Sequence, residues 1–240
     1  MSRGLVISDL HLFSPRSEAA ALWASIEDGH HDADTLVLNG DIFDFRWSMH
    51  SSEESSIAGA VEWLERLLAS SRWTTIHYVF GNHDCLERFR DRVERLAEQH
   101  ARLRCHDDRL QIGRNLFLHG DCTNHRMDGL ALRRYRESWS RDRPRGTMGK
   151  MLYHGVDALG LSQRFHQLYF PHSRSVSRVA HHLDHVMPSW RQDIDHCYFG
   201  HTHRPFRDHE LGGVRFHNTG SGIRGMGFQP LHFDGQTTQT

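Results

Sequence analysis

The sequence predicts an α/β fold, in which short buried strands alternate with amphipathic helices. Several apolar runs of three to five residues end abruptly in Gly, Asp, Asn or His, which is typical of buried strands. Between the first of these runs, apolar residues recur at i, i+3, i+4 and i+7, which is typical of helices. Strands that alternate with helices along a chain favour an α/β core.

The predicted elements follow one another in a regular order. The apolar runs predict strands at 4–7, 35–38, 76–80, 115–118 and 197–199, and alternating patterns predict two later strands at 214–216 and 231–233. The helical spacing predicts helices at 17–28, 55–70 and 86–99. Polar residues directly follow each of the first five strands, where open α/β sheets place their functional sites.

One segment differs from the rest of the chain in charge and in pattern. Residues 123–190 are mainly helical in pattern and contain 11 Lys/Arg against 5 Asp/Glu, a net charge of +6, whereas the remainder carries −7. We interpret 123–190 as a helical cap inserted into a single-domain core formed by 1–122 and 191–240.

Composition limits the classes of function. The 240 residues carry a net charge of −1, so we do not expect nucleic acid as a partner. The longest apolar run, 19–24, is far shorter than the roughly 20 residues that span a bilayer, so we expect neither a transmembrane segment nor a signal peptide. The four cysteines form no CxxC pair. We therefore expect a cytoplasmic protein, with peripheral contact at the inner membrane left open.

Five polar motifs at predicted strand ends carry the chemistry. They are Asp9-Leu10-His11, Gly40-Asp41-Ile42-Phe43-Asp44, Gly81-Asn82-His83-Asp84, His119-Gly120-Asp121 and Gly200-His201-Thr202-His203. Each motif alone is a weak signal, but five in order at strand ends indicate a common site. Carboxylates mixed with imidazoles suit Mn²⁺, Fe, Co²⁺ or Zn²⁺.

Together these motifs resemble the calcineurin-like metallophosphoesterase superfamily over 1–122 and 191–240. The resemblance implies a four-layer α/β/β/α sandwich with two mixed sheets, and a site for two divalent metal ions, with Mn²⁺ expected and Fe, Zn²⁺ or Co²⁺ as alternatives. It implies that Asp41 bridges the two ions. The implied ligands of the first ion are Asp9, His11, Asp41 and His203, and those of the second are Asp41, Asn82, His119 and His201.

The resemblance also assigns roles to two residues that it does not count as ligands. His83 would protonate the leaving oxygen, a role that suits an imidazole because its pKa lies near neutrality. Asp44 would hydrogen-bond to His83 and orient it; the alternative is a turn residue.

Within the superfamily, the chain is similar to the UDP-2,3-diacylglucosamine hydrolases at residues 119–123 and 200–205 and in its helical insertion, although that group carries Arg at the position of His83. This similarity implies hydrolysis of a phosphate ester or a nucleotide-linked pyrophosphate in a small substrate. Arg133, Arg134 and Arg136 are candidate substrate-binding residues, because arginine binds phosphate through two parallel hydrogen bonds. A solvated helix face is the alternative for this basic run. A nuclease and a non-catalytic scaffold are the competing functions.

Overall fold

The structure, a computed structural model, describes residues 2–29, 32–70, 72–141 and 168–235. The described strands are β1 (Ser2–Ile7), β2 (Thr35–Asn39), β3 (Thr75–Val79), β4 (Leu103–His106), β5 (Arg109–Ile112), β6 (Asn115–Leu118), β7 (His196–Phe199), β8 (Phe206–Leu211), β9 (Val214–Asn218) and β10 (Leu231–Gly235). The described helices are α1 (Ala19–Gly29), α2 (Glu53–Ala69), α3 (Glu87–Gln99), α4 (Gly129–Ser140), α5 (His172–Val186) and α6 (Trp190–Asp193).

These strands form two mixed five-stranded sheets. The first sheet has the order β10-β1-β2-β3-β4, in which β10 is antiparallel to β1 and the other neighbours are parallel. The second has the order β5-β6-β7-β9-β8, with β6, β7 and β9 parallel and both edge strands antiparallel. The side chain of Asn39 at the end of β2 contacts backbone carbonyls near the ends of β6 and β7, so the central strands of both sheets end at a common side.

Three apolar layers hold the sheets and helices together. Buried side chains of α1, α2 and α3 pack on the outer face of the first sheet, and those of α4, α5 and α6 pack on the outer face of the second. Between the sheets, Val6, Val37 and Val79 of the first meet Phe117 and Tyr198 of the second. The predicted four-layer α/β/β/α sandwich is therefore confirmed.

Every strand and helix predicted from the sequence is present, but β4, β5 and β8 were not predicted. All three lie at the edges of their sheets, where one side of the strand faces solvent. Their sequences accordingly carry exposed or half-buried polar side chains such as Arg104, Gln111 and Arg207, so they lack an uninterrupted apolar run.

The predicted cap, 123–190, is described in two parts. Its α4 and α5 contribute Leu132, Val176, Val179 and Leu183 to the core beneath the second sheet, so they supply part of the fourth layer. Residues 142–167 of the predicted cap lie outside the described residues. No helix within the described parts of the chain is long and apolar enough to cross a membrane.

Candidate metal site

The five polar motifs meet where the parallel strands of both sheets end. The side-chain amide of Asn39, the last residue of β2, donates to the backbone carbonyls of Leu118 (2.9 Å) and Tyr198 (3.3 Å) in the second sheet. The Asn39 carbonyl accepts from Nδ1 of His119 at 3.2 Å. This link joins the carboxyl ends of the two sheets and brings their loops to one place.

The backbone at this site adopts a left-handed conformation that residues other than Gly rarely adopt. Of the seven described non-glycine residues with positive φ, five are predicted metal ligands: Asp9 (52°), His11 (49°), Asp41 (52°), His201 (64°) and His203 (55°). A left-handed residue costs free energy, on the order of 1–3 kcal/mol in unfavourable cases, so such residues persist only where the surroundings hold them. Their clustering marks a functional site.

Two glycines allow the motifs to approach closely. A Cβ atom on Gly81 would overlap Oδ1 of Asp41, and one on Gly200 would overlap Oδ2 of Asp9. Glycine is therefore required at both positions by the proximity of the neighbouring carboxylates.

One group of ligand atoms is formed by Asp9, His11 and His203. The Nε2 atoms of the two histidines lie 3.0 Å apart, and Nε2 of His203 lies 3.3 Å from Oδ1 of Asp9. Nε2 of His11 lies 3.9 Å from Oδ1 of Asp9 and 3.9 Å from Oδ2 of Asp41. Two imidazole nitrogens and two carboxylate oxygens thus converge on one point.

A second group is formed by Asp41, His119 and His201. Nε2 of His119 lies 3.3 Å from Oδ2 of Asp41, the same oxygen that faces His11. Asn82 immediately precedes His83, whose backbone N–H donates to Oδ1 of Asp41 at 2.8 Å. The side chain of Asp41 therefore lies between the two groups.

The donor atoms fit divalent cations. Within the described residues, Oδ1 of Asn82 and Nε2 of His119 are buried and have no hydrogen-bond partner, although Nε2 of His119 faces the carboxylate of Asp41 at 3.3 Å. Buried polar atoms are nearly always hydrogen-bonded, so a buried amide oxygen without a partner beside this cluster fits a metal ligand. The mixed nitrogen and oxygen donors exclude a thiolate site and favour transition-metal cations.

Burial and charge act against each other on the site's carboxylates and imidazoles. Burial raises the pKa of Asp41, but the neighbouring His119 and His83 outweigh it, so the pKa lies well below its usual value. Burial lowers the pKa of His119, but the Asp41 carboxylate raises it to about 10. Burial lowers the pKa of His201 to about 4, so this imidazole is neutral. Asp41 is therefore available as an anionic ligand.

His83 forms a third group of potential ligand atoms with His11 and Asp41, and it is held by Asp44. Nδ1 of His83 lies 3.1 Å from Oδ1 of Asp44, which also accepts the backbone N–H of Trp47 at 3.0 Å. Burial lowers the pKa of His83, but the carboxylates of Asp44 and Asp41 raise it to about 9. The ring of His83 also contacts Trp139 of α4, with 4.8 Å between ring centroids.

Exposure shows from which side a substrate would approach. The side chains of His83 and His203 are 17% and 14% exposed, whereas those of Asp9, His11, Asp41 and His119 are at most 3% exposed. The accessible side of the cluster is therefore the one lined by His83 and His203.

Asp84 connects the loops of the site without joining the ligand groups. Its carboxylate accepts the backbone N–H groups of Ile42 (2.9 Å) and Gly81 (2.7 Å) and the hydroxyl of Tyr78 (2.6 Å). These contacts tie the loop after β2 to the loop after β3, which is a structural role.

The three candidate arginines of α4 lie in different environments. Arg133 and Arg134 are exposed. Arg136 is buried and binds Asp121 through two hydrogen bonds, Nε to Oδ2 at 2.7 Å and Nη2 to Oδ1 at 3.0 Å. Its remaining Nη1 donates to the Asp107 carbonyl. The edges of this guanidinium are therefore occupied by the protein itself.

Two residues near the site were not singled out in the sequence. The Oδ1 atom of Asn124 lies 3.0 Å from Nε2 of His201, and the guanidinium of Arg46 lies 4.5 Å from the centroid of the Trp139 ring. Both follow a ligand motif by a few positions, but neither lies at a motif position that would predict a catalytic or metal-binding role. Their contacts depend on how α4 packs.

A comparison of the sequence with known protein families gives one match. The sequence model of the calcineurin-like phosphoesterase family matches residues 3–205 of this chain. A comparison with curated proteins finds no match.

Three solved structures are similar to this chain at low identity. Phosphopantetheinyl hydrolase (PptH) from Mycobacterium tuberculosis has 13% identity and a TM-score of 0.46, covering 92% of this chain and 90% of that chain. A dimetal phosphatase from Danio rerio has 12% identity and a TM-score of 0.49, covering 92% and 88%. Vps29 complexed with Zn²⁺ from Entamoeba histolytica has 16% identity and a TM-score of 0.36, covering 91% and 74%. At such low values, none of them assigns an activity to this chain.

Proposed function

Because the chain belongs to the calcineurin-like phosphoesterase family, we propose that it hydrolyses a phosphate ester or a nucleotide-linked pyrophosphate at a dinuclear metal centre. One observation carries the proposal. The carboxylate of Asp41 lies between two groups of buried ligand atoms and faces His11 on one side and His119 on the other. A shared carboxylate is what a pair of cations about 3.5–4 Å apart requires.

The proposed ligand sets combine these two groups with Asn82, as the family resemblance implies, and share Asp41. The first cation would be held by Asp9, His11, Asp41 and His203. The second would be held by Asp41, Asn82, His119 and His201. Asn82 supplies an oxygen without a negative charge, so the centre stays attractive to an anionic substrate. When bound, two divalent cations would polarise a phosphoryl oxygen and lower the pKa of a nucleophilic water.

His83 is proposed as the general acid. Its Nδ1 is held by Asp44, so Nε2 is the nitrogen available to donate a proton to the leaving oxygen. In the metal-free chain the carboxylates of Asp44 and Asp41 raise the pKa of His83 to about 9. Bound cations would lower this pKa, because like charges repel. Asp44 would act through His83 as a positioning residue.

The donors limit the choice of metal to a few divalent cations. Carboxylate, amide and imidazole donors suit Mn²⁺, which we propose, and the same set also accepts Fe, Zn²⁺ or Co²⁺. Metal analysis of protein purified without added metal distinguishes these ions.

For the substrate, we propose a small phosphorylated or nucleotide-linked molecule of the type used by UDP-2,3-diacylglucosamine hydrolases. The net charge of +6 over 123–190 supports an anionic substrate, and so do the exposed Arg133 and Arg134 on α4. Arg136 is proposed instead as a structural residue, because Asp121 occupies it. A cytoplasmic location and the division into a core (1–122, 191–240) and a cap (123–190) stay predictions.

The test is a substrate screen of the full chain reconstituted with Mn²⁺, using a phosphomonoester, a phosphodiester and a UDP-sugar pyrophosphate, each with and without chelator. We expect chelator-sensitive turnover of at least one. Absence of turnover with metal bound would favour a non-catalytic scaffold. Replacing Arg133 and Arg134 with Gln should weaken binding of the pyrophosphate by about 1–3 kcal/mol, which appears as a higher KM. The KM for a small aryl phosphate should not change.

A further inference from the structure

Asn124 lies between His201 and α4, and its side chain contacts both. Its Oδ1 atom lies 3.0 Å from Nε2 of His201, and its Nδ2 atom donates to the hydroxyl of Tyr135 at 2.9 Å. Its backbone is held as well, because its N–H donates to the Asp121 carbonyl at 3.3 Å and its carbonyl accepts the Tyr169 hydroxyl at 3.3 Å. Both the position and the orientation of Asn124 are therefore restrained.

These contacts favour the proton on Nε2 of His201. With Nδ2 of Asn124 donating to the Tyr135 hydroxyl, Oδ1 of the amide faces His201, and an amide oxygen accepts from an Nε2–H. A neutral imidazole has a single N–H, and with the proton on Nε2 the lone pair is on Nδ1. His201 also offers a nitrogen to the group formed with Asp41 and His119.

We infer that Asn124 is a positioning residue, which holds His201 as the Nε2–H tautomer with Nδ1 as its ligand atom. The inference rests on the proposed metal centre. Metal-binding histidines commonly donate their second N–H to a carboxylate or carbonyl, which fixes both the tautomer and the ring orientation. Here the acceptor is an amide, and Tyr135 of α4 fixes the orientation of that amide. In this way α4, part of the predicted cap, acts on the second cation without contacting it.

The experiment is a calorimetric titration of the metal-free full chain with Mn²⁺. It compares the parent with Asn124→Leu, Asn124→Asp and Asp41→Ala. Asn124→Leu keeps the size of the side chain but removes the acceptor, and we expect one of two binding events to weaken about 10–100-fold. Asn124→Asp keeps an acceptor for Nε2–H, and the Tyr135 hydroxyl can donate to its second oxygen; it serves as the control, with an affinity at least equal to that of the parent because the carboxylate also attracts the cation. Equal Mn²⁺ affinity in the parent and in Asn124→Leu would overturn the inference.

Asp41→Ala separates this inference from the proposed function. If Asp41→Ala binds Mn²⁺ as the parent does, the proposed metal centre fails. If Asp41→Ala loses Mn²⁺ and Asn124→Leu does not, only the role of Asn124 fails.

A second measurement does not depend on how the variants fold. Nitrogen-15 NMR of the imidazole rings in the metal-free parent reports the tautomer of His201 directly. We expect the proton on Nε2. A proton on Nδ1 would contradict the inference.

Discussion

Oδ1 of Asp44 lies 3.1 Å from Nδ1 of His83, while Oδ2 of the same carboxylate lies 3.4 Å from Nδ1 of His11. One buried side chain thus contacts both the proposed general acid and a proposed metal ligand. Burial raises the pKa of Asp44, but the two imidazoles outweigh it and hold the pKa far below its usual value. Asp44 stays ionised, is hydrogen-bonded to Nδ1 of His83 and faces Nδ1 of His11 at ion-pair distance without a hydrogen bond.

Replacing His83 with Ala should separate proton transfer from metal binding. We expect kcat to fall about 10²–10⁴-fold, since a general acid is lost, with metal content near that of the parent. Metal analysis and steady-state kinetics check this. Substrates with good leaving groups need less protonation and should lose less; an equal loss for all leaving groups would show that His83 has another role.

Asp44→Asn should have a broader effect than His83→Ala. A neutral amide keeps one acceptor oxygen and puts an NH2 group in place of the other, so the side chain loses its charge and one of the two imidazoles loses its carboxylate contact. We expect a lower kcat together with weaker binding of one cation, by about 10–100-fold, because His11 loses its carboxylate partner. Mn²⁺ titration compares the two variants. Unchanged Mn²⁺ affinity would show that Asp44 positions only His83 and does not support His11 as a metal ligand.

Asp41→Ala tests the bridging position. Since Asp41 faces both ligand groups, the variant should lose activity and much of its bound metal at both sites. His11→Ala, which removes a ligand from one group only, is the matched control and should weaken mainly one site. Two full equivalents of metal in Asp41→Ala would contradict the bridging assignment.

Arg136→Met should reduce stability rather than substrate binding. The substitution leaves the buried carboxylate of Asp121 without its partner, which typically costs about 3–5 kcal/mol. Arg133→Met and Arg134→Met on the same helix are exposed controls and should change stability by about 0.5 kcal/mol or less. Denaturant unfolding measures all three. If Arg136→Met has the stability of the parent but a higher KM, Arg136 binds substrate and is not a structural residue.

Two buried histidines, His77 and His217, should make the fold sensitive to mild acid. Burial and a neighbouring imidazole lower both pKa values to about 4, from 6.5 in the unfolded chain. Between pH 6.5 and about 4 the unfolded chain therefore binds protons that the native chain does not, so stability falls as pH falls, by roughly 1.4 kcal/mol per pH unit for each group.

The matched comparison for this pH dependence is His77→Gln against His100→Gln, since His100 is exposed at the end of α3. Thermal or denaturant unfolding between pH 7 and pH 4 should give a shallower slope for His77→Gln alone. Parallel slopes for the parent and both variants would contradict a neutral native His77.

Local pattern was sufficient to predict the order of the central strands and helices. Runs such as 35–38 and 76–80 are apolar because both faces of a central parallel strand are buried, and that requirement is written into consecutive residues. Edge strands such as β4 (Leu103–His106) carry no such requirement, since one side meets solvent. They form because a neighbouring strand offers unpaired backbone groups, and the sequence of the strand itself does not show this.

The ligand motifs were recognisable in the sequence because they follow strand ends directly, and parallel strands bring their carboxyl ends to one side. The fit of Gly81 and Gly200 against carboxylates, and the position of Asp41 between two groups, depend on distances between segments far apart in the chain. The basic run on α4 shows the limit most clearly. Arg133, Arg134 and Arg136 look equivalent in sequence, but helical rotation exposes the first two and directs Arg136 into a buried pair with Asp121. Residue type and spacing determine which chemistry is available, whereas packing determines which of these side chains a ligand can reach.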